Sequence, residues 1–347
     1  MSSEFGGAAN IVPTLTAVAI ATVTTLILWR RLKQSVLGKV VVTELFIYPV
    51  KSCAETSLDV ATPTARGFAG DRLAQVTDET GKYCTPRDKG KEKLFHVQAE
   101  IWGNSLTLKS PHGALEPLQV DLDQVGDDKN TTPVQVEVLD EPEKMTLRDY
   151  GDAVAEWLQK ATGIPGCRLT AVGPEFERFA HVNPSQGDSI PTAQPAPMSL
   201  ADEAPYLLVN EASLVDLNKR LAARGQPPVD MRRFRPNIVI RGLKPWEEDT
   251  LKKIRIGPHF EFWVWQRCGR CIMTTIDRDT LQRGPEPLAT LSEFREREHG
   301  MRNFGMHLIP CQGETVSEDA IISVDDTVEI LEYDQERRAE YLKLYCK

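Results

Sequence analysis

Apolar and polar residues alternate along several short segments in the first third of the chain. This period of two is typical of β-strands with one buried face. The pattern predicts strands at residues 39–48, 57–61, 105–109 and 134–139. The period changes over 149–162, where Val154, Trp157 and Leu158 share one helical face and Gly163 follows as a helix-ending residue. The first unit, 39–182, is therefore predicted to be β-rich with one closing helix.

A proline-rich segment, 183–205, contains five Pro, shows no period and is predicted to be a linker. The second unit is predicted at 206–335, followed by a tail at 336–347. Its helices are predicted at 211–223 and 288–298, and its strands at 206–209, 238–241, 254–266, 271–276, 306–309 and 327–331. Many strands with few helices predict an α+β protein whose β-barrel or sandwich core is decorated by helices, and not a wound βαβ sheet.

The amino-terminal residues 1–38 are predicted to be a membrane anchor. No charged residue occurs between Phe5 and Trp29, and the apolar run at 11–29 is long enough for a helix to cross a bilayer core. A cleaved signal peptide is the alternative, but the residues before the run include Glu4 and no Lys or Arg. Basic residues after the run predict a cytosolic location for the rest of the chain, on the outer mitochondrial membrane or the endoplasmic reticulum: Arg30, Arg31, Lys33 and Lys39.

Composition excludes some classes of protein. The 41% hydrophobic and 26% charged residues are ordinary for a folded chain, and a net charge of -9 argues against a nucleic-acid binder. Within this acidic chain the segment 219–255 carries eleven Lys or Arg and four Asp or Glu, a net charge of +7, so it is a candidate cradle for an anion. The seven cysteines are scattered and odd in number, which favours a reducing compartment.

The closest pair of cysteines is Cys268-Gly-Arg-Cys271. A structural zinc site needs two more ligands, and neither a second CxxC nor suitably spaced histidines are present. A thioredoxin-like redox pair needs a helix after the motif, whereas the following residues predict a strand. Two alternatives remain: both cysteines are small core residues, or one thiolate is a soft ligand for a metal brought by a bound cofactor, with Arg270 offsetting the charge.

Five motifs together resemble one family. The run 268–280 is similar to the signature segment of the MOSC domain in the mitochondrial amidoxime-reducing component. The family's other motifs stand in the same order over roughly residues 40 to 333: Tyr48-Pro-Val-Lys-Ser52, Gly70-Asp-Arg72, Asn210-Glu-Ala-Ser-Leu-Val-Asp-Leu-Asn218 and Phe234-Arg-Pro-Asn-Ile-Val-Ile240. The resemblance implies a MOSC-type β-barrel preceded by a β-rich MOSC-associated domain.

The resemblance also implies a cofactor and a site. Cys271 would be the protein ligand to the metal of a molybdenum cofactor (Mo-molybdopterin). Residues implied to bind the pterin are Lys51, Ser52, Arg72, Arg235, Asn237 and Arg270. Cationic side chains suit an anionic pterin dithiolene. Each also has a structural alternative, since Lys51 could be a solvated surface cation, and Arg72 and Arg235 could be ordinary ion-pair partners.

The implied activity is reduction of N-hydroxylated compounds, such as amidoximes and hydroxylamines, to the amine level. Because no Rossmann fingerprint is present, electrons are expected from a partner protein. The resemblance implies that this partner is cytochrome b5 with its NADH-dependent reductase. A MOSC module that carries the cofactor or transfers sulfur without turnover is the alternative, and a β-rich scaffold is a third. Two positions depart from the family pattern: Glu203-Ala204 replaces a pair of hydroxyl residues, and His307 replaces a phenol.

Overall fold

Short strands separated by turns make up most of the chain in the computed structural model, which describes residues 38–122, 131–139, 141–180, 196–295, 301–311 and 320–345. In chain order the strands are β1 (Val41–Ile47), β2 (Thr56–Leu58), β3 (Val60–Ala61), β4 (Pro63–Thr64), β5 (Gly67–Phe68), β6 (Ala74–Thr77), β7 (Gln98–Trp102), β8 (Ser105–Lys109), β9 (Leu118–Asp121), β10 (Thr132–Val136), β11 (Met145–Asp149), β12 (Arg168–Ala171), β13 (Tyr206–Asn210), β14 (Ile238–Arg241), β15 (Leu251–Ile256), β16 (Phe260–Gly269), β17 (Asn303–Pro310), β18 (Ile322–Ser323) and β19 (Val328–Tyr333). The α-helices are α1 (Gly151–Thr162), α2 (Glu211–Ala223), α3 (Leu288–Arg295) and α4 (Gln335–Tyr345). Short 3-10 turns occur at Glu92–His96, Pro111–Gly113, Met231–Phe234, Glu247–Thr250 and Ile272–Thr275.

One large sheet has the strand order β19-β15-β16-β17-β13-β14-β1-β2. All neighbouring pairs are antiparallel except β13 and β14. The sheet curls until its first strand, β19, meets its seventh, β1: the N–H of Val328 donates to the carbonyl of Val40 at 2.7 Å, and that of Val42 to the carbonyl of Asp326 at 2.9 Å. The predicted α+β class with a β-rich, barrel-like core is therefore confirmed.

Strand β1 shows how the period of two builds the fold, because its alternate side chains enter two different cores. Leu45 and Ile47 lie inside the curled sheet, whereas Phe46 packs on the outer face against α2 residues Leu217 and Leu221. All five are at most 3% exposed. Burying both faces of a strand in this way explains why β1 is nearly continuously apolar.

The amino-terminal part adds two smaller sheets, β10-β11-β12-β6 and β7-β8-β9. Their shared core includes Val76, Leu106, Leu169 and Leu158 of α1, each at most 1% exposed. Gly163 adopts a left-handed φ of 74° and ends α1, as the sequence predicts. The strands at 74–77, 98–102, 118–121 and 145–149 were not predicted: each alternates apolar and polar positions over only four or five residues, which is a weak signal.

Two strand predictions in the second unit were wrong. The single strand predicted at 254–266 is a hairpin of β15 and β16, and Gly257 with φ of 58° starts its turn. The strand predicted at 271–276 is the 3-10 turn Ile272–Thr275. Thr274 Oγ1 donates to the carbonyl of Cys271 at 3.0 Å, and such local bonds compete with strand pairing. The predicted tail contains most of α4.

Residues 1–37 of the predicted anchor, with its apolar run at 11–29, and residues 183–195 of the predicted linker lie outside the described residues. Among the helices that are described, none is both long and apolar enough for a membrane span. Residues 196–205 of the predicted linker are packed, with Met198 and Leu200 at most 1% exposed. Strands β1 and β2 share one sheet with strands that follow residue 206, and the domain boundaries stay predictions.

A buried carboxylate beneath α2 gives a first testable prediction. Glu248 is 0% exposed, and its carboxylate accepts hydrogen bonds from Ser213 Oγ at 2.6 Å and Asn210 Nδ2 at 2.9 Å. Burial, followed by the neighbouring charge of Asp249, raises the pKa of Glu248 to about 7. The folded protein then holds this proton more tightly than the unfolded chain, so stability is highest below the usual carboxyl pKa and falls as pH rises toward 7.

The expected loss is at most about 1.4 kcal/mol per pH unit for one proton. Glu248→Gln should remove this dependence between pH 5 and 7, measured as the urea midpoint of unfolding at each pH. Glu247→Gln, a change at its partly exposed neighbour, serves as the control and should keep the wild-type slope. Identical slopes in all three proteins would show that Glu248 is ionised throughout.

Candidate functional site

One pocket brings together all the residues that the sequence associates with a cofactor, although they come from four distant segments. These segments follow β1, join β5 to β6, precede β14 and follow β16. The predicted residues that line the pocket are Lys51, Ser52, Arg72, Arg235, Asn237, Arg270 and Cys271. The fold therefore supplies the convergence that the sequence does not reveal.

Three of these residues have a left-handed backbone, with φ of 73° at Ser52, 49° at Arg72 and 51° at Arg235. Residues with a Cβ rarely adopt this conformation. The N–H of Arg72 donates to the carbonyl of Tyr48 at 2.9 Å, so the left-handed residue returns the chain to the end of β1. Such strain costs about 1–3 kcal/mol per residue and clusters at functional sites, where the surrounding structure holds it in place.

A buried carboxylate positions two of the pocket residues. Asp71, only 2% exposed, accepts hydrogen bonds from Arg72 Nη1 at 2.6 Å, Asn237 Nδ2 at 3.1 Å and the backbone N–H of Tyr48 at 2.8 Å. Asn237 Oδ1 accepts in turn from Arg72 Nη1 at 3.2 Å and from the N–H of Leu207 at 3.1 Å. Arg72 is therefore an ion-pair partner, as one of the two interpretations predicted. Its guanidinium is held by this network and also lines the pocket.

Lys51 is 5% exposed, so the surface-cation alternative was wrong. Its Nζ donates to the carbonyl of Leu200 at 2.7 Å and lies 2.6 Å from Asp202 Oδ1. Burial lowers the pKa of Lys51, and Asp202 opposes this effect. Although burial raises the pKa of Asp202, Lys51 and then Arg87 outweigh it and hold that pKa well below its usual range. The pair is therefore charged at neutral pH.

Two guanidinium groups in the pocket have no carboxylate partner among the described residues. Arg235 Nη1 donates to the carbonyl of Cys53 at 2.7 Å, and its guanidinium carbon lies 4.1 Å from the ring centre of Tyr48. Burial lowers the pKa of Arg235 to about 10, which still leaves it charged. Arg270 donates only to backbone carbonyls, those of Phe304 at 2.6 and 2.9 Å and Phe234 at 3.1 Å.

Charge in the pocket is strongly positive. Its lining contains six Lys or Arg and two carboxylates, a formal charge of +4. The cations are Lys51, Arg72, Arg87, Arg233, Arg235 and Arg270, and the carboxylates are Asp202 and Glu203. Guanidinium groups whose orientation is already fixed by hydrogen bonds to carbonyls can bind a carboxylate or phosphate without losing more side-chain entropy. The pocket therefore suits an anionic ligand.

The two neighbouring cysteines have different environments. Cys268 is 6% exposed and packs in the core beneath α2, and it also borders the pocket next to His307. Cys271 is exposed and faces the pocket as a free thiol directly after β16. In the described part of the chain no group of three or more His, Cys, Asp or Glu could hold a metal ion, so the zinc alternative has no ligand set there. The Cys271 thiol is thus a soft donor that is open to the pocket.

Glu203 and His307, the two departures from the family pattern, face each other on the pocket wall. Oε2 of Glu203 lies 3.2 Å from Nε2 of His307 and accepts a hydrogen bond from Gln266 Nε2 at 3.3 Å. The His307 contact is an ion pair by distance, but neither ring nitrogen makes a well-aligned hydrogen bond within the described chain. Burial lowers the pKa of His307, but Cys268 and Glu203 outweigh it and raise the pKa to about 10.

Several residues in or directly behind the pocket lining were not predicted from the sequence. Asp71 and Tyr48 stood inside the quoted motifs, yet nothing in the sequence marked them as the anchor and the ring that hold the arginines. Asp202 pairs with Lys51, and a buried lysine needs such a carboxylate partner. The sequence did not show that Lys51 is buried, so it gave no reason to look for one. Arg87 carried no recognisable signal at all.

Arg178 holds one wall of the pocket in place. Its side chain is 1% exposed; it pairs with Glu141 and donates to the carbonyls of Leu139, Ala201 and Asp202. Arg178→Lys keeps the charge but cannot reach all these acceptors, so buried carbonyls lose their donors. We expect a loss of about 3 kcal/mol in the free energy of unfolding, measured with urea.

The matched control is Arg148→Lys, since Arg148 forms a partly exposed ion pair with Glu175 at 3.0 Å. This change should cost less than about 1 kcal/mol. Equal effects of the two substitutions would contradict the role given to Arg178.

Two protein-family models match this chain, one over each of its two parts. The model of the MOSC N-terminal beta barrel domain matches residues 39–165, and that of the MOSC domain matches residues 195–329. Mitochondrial amidoxime-reducing component 1 of Homo sapiens is 30% identical over 331 residues, which cover 91% of each chain. Mitochondrial amidoxime reducing component 2 of Bos taurus is 34% identical, over 77% of this chain and 74% of its own length.

A second group of relatives is longer. The molybdenum cofactor sulfurase of Danio rerio is 34% identical over 275 residues, 77% of this chain but only 31% of the sulfurase. The chain therefore spans about a third of the sulfurases it matches and most of the amidoxime-reducing components. The identities and both domain matches show that this chain belongs to the MOSC-domain family of the mitochondrial amidoxime-reducing component.

Proposed function

We propose that this protein is a molybdenum-cofactor oxidoreductase that reduces N-hydroxylated compounds, such as amidoximes and hydroxylamines, to the amine level with release of water. The observation that carries the proposal is the free, exposed thiol of Cys271 in a pocket whose lining has a formal charge of +4. The names of the relatives that cover most of their length support the same reaction class.

The residues present fit the cofactor. A pterin dithiolene is anionic, and Arg235 and Arg270 offer guanidinium groups with no carboxylate partner among the described residues. Arg72, Lys51 and Asn237 are held in the same pocket by buried partners, so they need little reorganisation to bind an anion. The remaining assigned residues are Ser52, as a turn residue beside Lys51, and Cys271, as the metal ligand.

When bound, the molybdenum cofactor supplies the two-electron chemistry. The chain's own contribution is to hold it, to balance its charge and to keep Cys271 open to the pocket. Overall, an amidoxime takes up two electrons and two protons to give an amidine and water. Electrons are proposed to come from cytochrome b5 and its NADH-dependent reductase, because this chain has no dinucleotide-binding fingerprint.

The proposed location is mitochondrial, which the names of the relatives support. The apolar run at 11–29 is proposed to anchor the protein in the outer mitochondrial membrane, with the site facing the cytosol. The endoplasmic reticulum is the competing membrane. Fractionation of cells that express the full chain, with protease protection of the carboxy terminus, distinguishes the two membranes and tests the orientation.

Activity is tested with the full chain purified in detergent. Molybdenum and pterin contents are measured first, and benzamidoxime reduction is then measured with NADH, cytochrome b5 and its reductase. About one molybdenum per chain together with reduction that needs all three additions is the expected result. Full loading without reduction of any N-hydroxylated compound would overturn the proposed reaction.

A cofactor carrier or sulfur-transfer module is the second candidate, and the similarity to molybdenum cofactor sulfurases favours it. A carrier should release its cofactor to a recipient apoenzyme, whereas a reductase should retain it through many turnovers. Transfer of molybdenum to an apo-oxidoreductase in the absence of N-hydroxylated substrate therefore separates the two functions.

A further inference from the structure

Glu203 is a charge anomaly in the pocket. Its carboxylate lines a wall that otherwise carries six cations, and an anionic cofactor would repel it. The other lining carboxylate, Asp202, is explained by its 2.6 Å contact with Lys51. Glu203 has no Lys or Arg partner among the described residues, and its side chain remains 36% exposed. Its partners on the wall are His307 and Gln266, and the carboxylate remains open to a ligand that carries a hydrogen-bond donor.

His307 provides the second observation. The residue is 5% exposed and lines the pocket, yet its ring nitrogens make no well-aligned hydrogen bond within the described part of the chain. Its neighbours Cys268 and Glu203 favour the protonated ring, but their alignment is poor, so the buried imidazolium can donate to a ligand that offers a better aligned acceptor. Its Nε2 is 3.2 Å from Oε2 of Glu203, which places one donor beside one acceptor.

This spacing matches one kind of N-hydroxylated compound. An amidoxime in its Z form carries an amino N–H donor and a hydroxyl oxygen acceptor on the same side of the C=N bond. A simple aldoxime has the hydroxyl oxygen but only hydrogen in place of the amino group. A pocket wall that offers a carboxylate next to an imidazolium can satisfy both groups of the amidoxime and only one group of the aldoxime.

We propose that Glu203 and His307 are the substrate-selecting pair of this site: Glu203 accepts the amino N–H of an amidoxime, and His307 donates to its hydroxyl oxygen. The inference rests on the proposed function and narrows it to substrates with an amino group on the oxime carbon. Amidoximes and N-hydroxyguanidines fit this requirement, whereas aldoximes do not.

Equilibrium binding to the oxidised holoenzyme tests the pair without turnover. Benzamidoxime and benzaldoxime differ only in the amino group, and isothermal titration calorimetry gives the ratio of their dissociation constants. The full chain is used, after its molybdenum content has been verified, so that failure to load counts against the proposed function and not against this inference. The wild-type protein should bind benzamidoxime about tenfold tighter, because a hydrogen bond to a charged acceptor has roughly that effect.

Substitutions assign the two roles separately. Glu203→Met should bring the ratio close to one, and Glu203→Gln, which keeps an acceptor oxygen without the charge, should give an intermediate ratio. His307→Gln should weaken both oximes by a similar factor and leave the ratio unchanged, because both ligands carry the hydroxyl group. Thermal melting of each variant confirms that it is folded.

Glu261→Met is the matched control, since Glu261 pairs with Lys253 and Arg255 outside the pocket. It should bind both ligands as the wild type does. A wild-type ratio near one, or a ratio that survives in folded Glu203→Met, would overturn the proposal. A change of the ratio in Glu261→Met would do the same, because it would show that the preference is not local.

Discussion

Replacing Cys271 with Ser is expected to abolish benzamidoxime reduction, with a fall in kcat of at least about 100-fold. Loss of residues that merely support a metal ligand already costs about 10–100-fold, and a serine hydroxyl is a poor donor to a soft metal centre. Because Cys271 is exposed and free, the change removes no core contact. Steady-state kinetics with the complete electron chain, on protein of known molybdenum content, measures the effect.

Cys268→Ala is the matched control, three residues away. Cys268 is 6% exposed and packs in the core beneath α2, so its loss should lower the free energy of unfolding by about 1 kcal/mol and leave most of the activity. Equal losses of activity in the two variants would refute the assignment of Cys271 as the metal ligand.

Removing either unpaired guanidinium should release the cofactor. Arg235→Ala and Arg270→Ala each delete charge-assisted hydrogen bonds to an anion, which together lower affinity by about 10- to 100-fold. Both residues now donate only to backbone carbonyls, so substitution breaks no ion pair among the described residues. Molybdenum retained per chain after extensive dialysis is the measurement, and both variants should retain much less than the wild type.

Arg255→Ala is the control for these two substitutions, since Arg255 forms ion pairs with Glu261 and Glu329 outside the pocket. It should retain molybdenum as the wild type does. Full retention by folded Arg235→Ala and Arg270→Ala would mean that the positive pocket does not hold the cofactor.

Local features of the fold followed well from the sequence. The helix at 211–223 was predicted from apolar residues at helical spacing and has those bounds, and the structure adds that Asn210 caps it by accepting from the N–H of Ala212 at 3.1 Å. Strand β8 was likewise predicted at 105–109, where alternation is regular. Predictions failed where side-chain hydroxyls compete with strand pairing, as at Thr274, or where a glycine turn interrupts one apolar run, as at Gly257.

The sequence predicted which residues belong to the site, but it did not predict how they are arranged in space. Motif resemblance identified Lys51, Arg72 and Cys271, and all three line one pocket. Their partners depend on contacts between residues far apart in the chain, such as the 149 positions that separate Lys51 from Leu200. No local pattern encodes such contacts. For the same reason, Glu203 and His307 were noticed only as departures from a family pattern, and their proximity emerged from the fold.

The central claim is that the sulfur of Cys271 binds the molybdenum of a pterin cofactor. X-ray absorption at the molybdenum edge counts the sulfur atoms bound to the metal in the wild type and in Cys271→Ser, each loaded with cofactor. If this claim is correct, Cys271→Ser has one sulfur fewer per molybdenum than the wild type, and Cys268→Ala has the same number as the wild type. An unchanged count in Cys271→Ser, or a loss in Cys268→Ala instead, would contradict it.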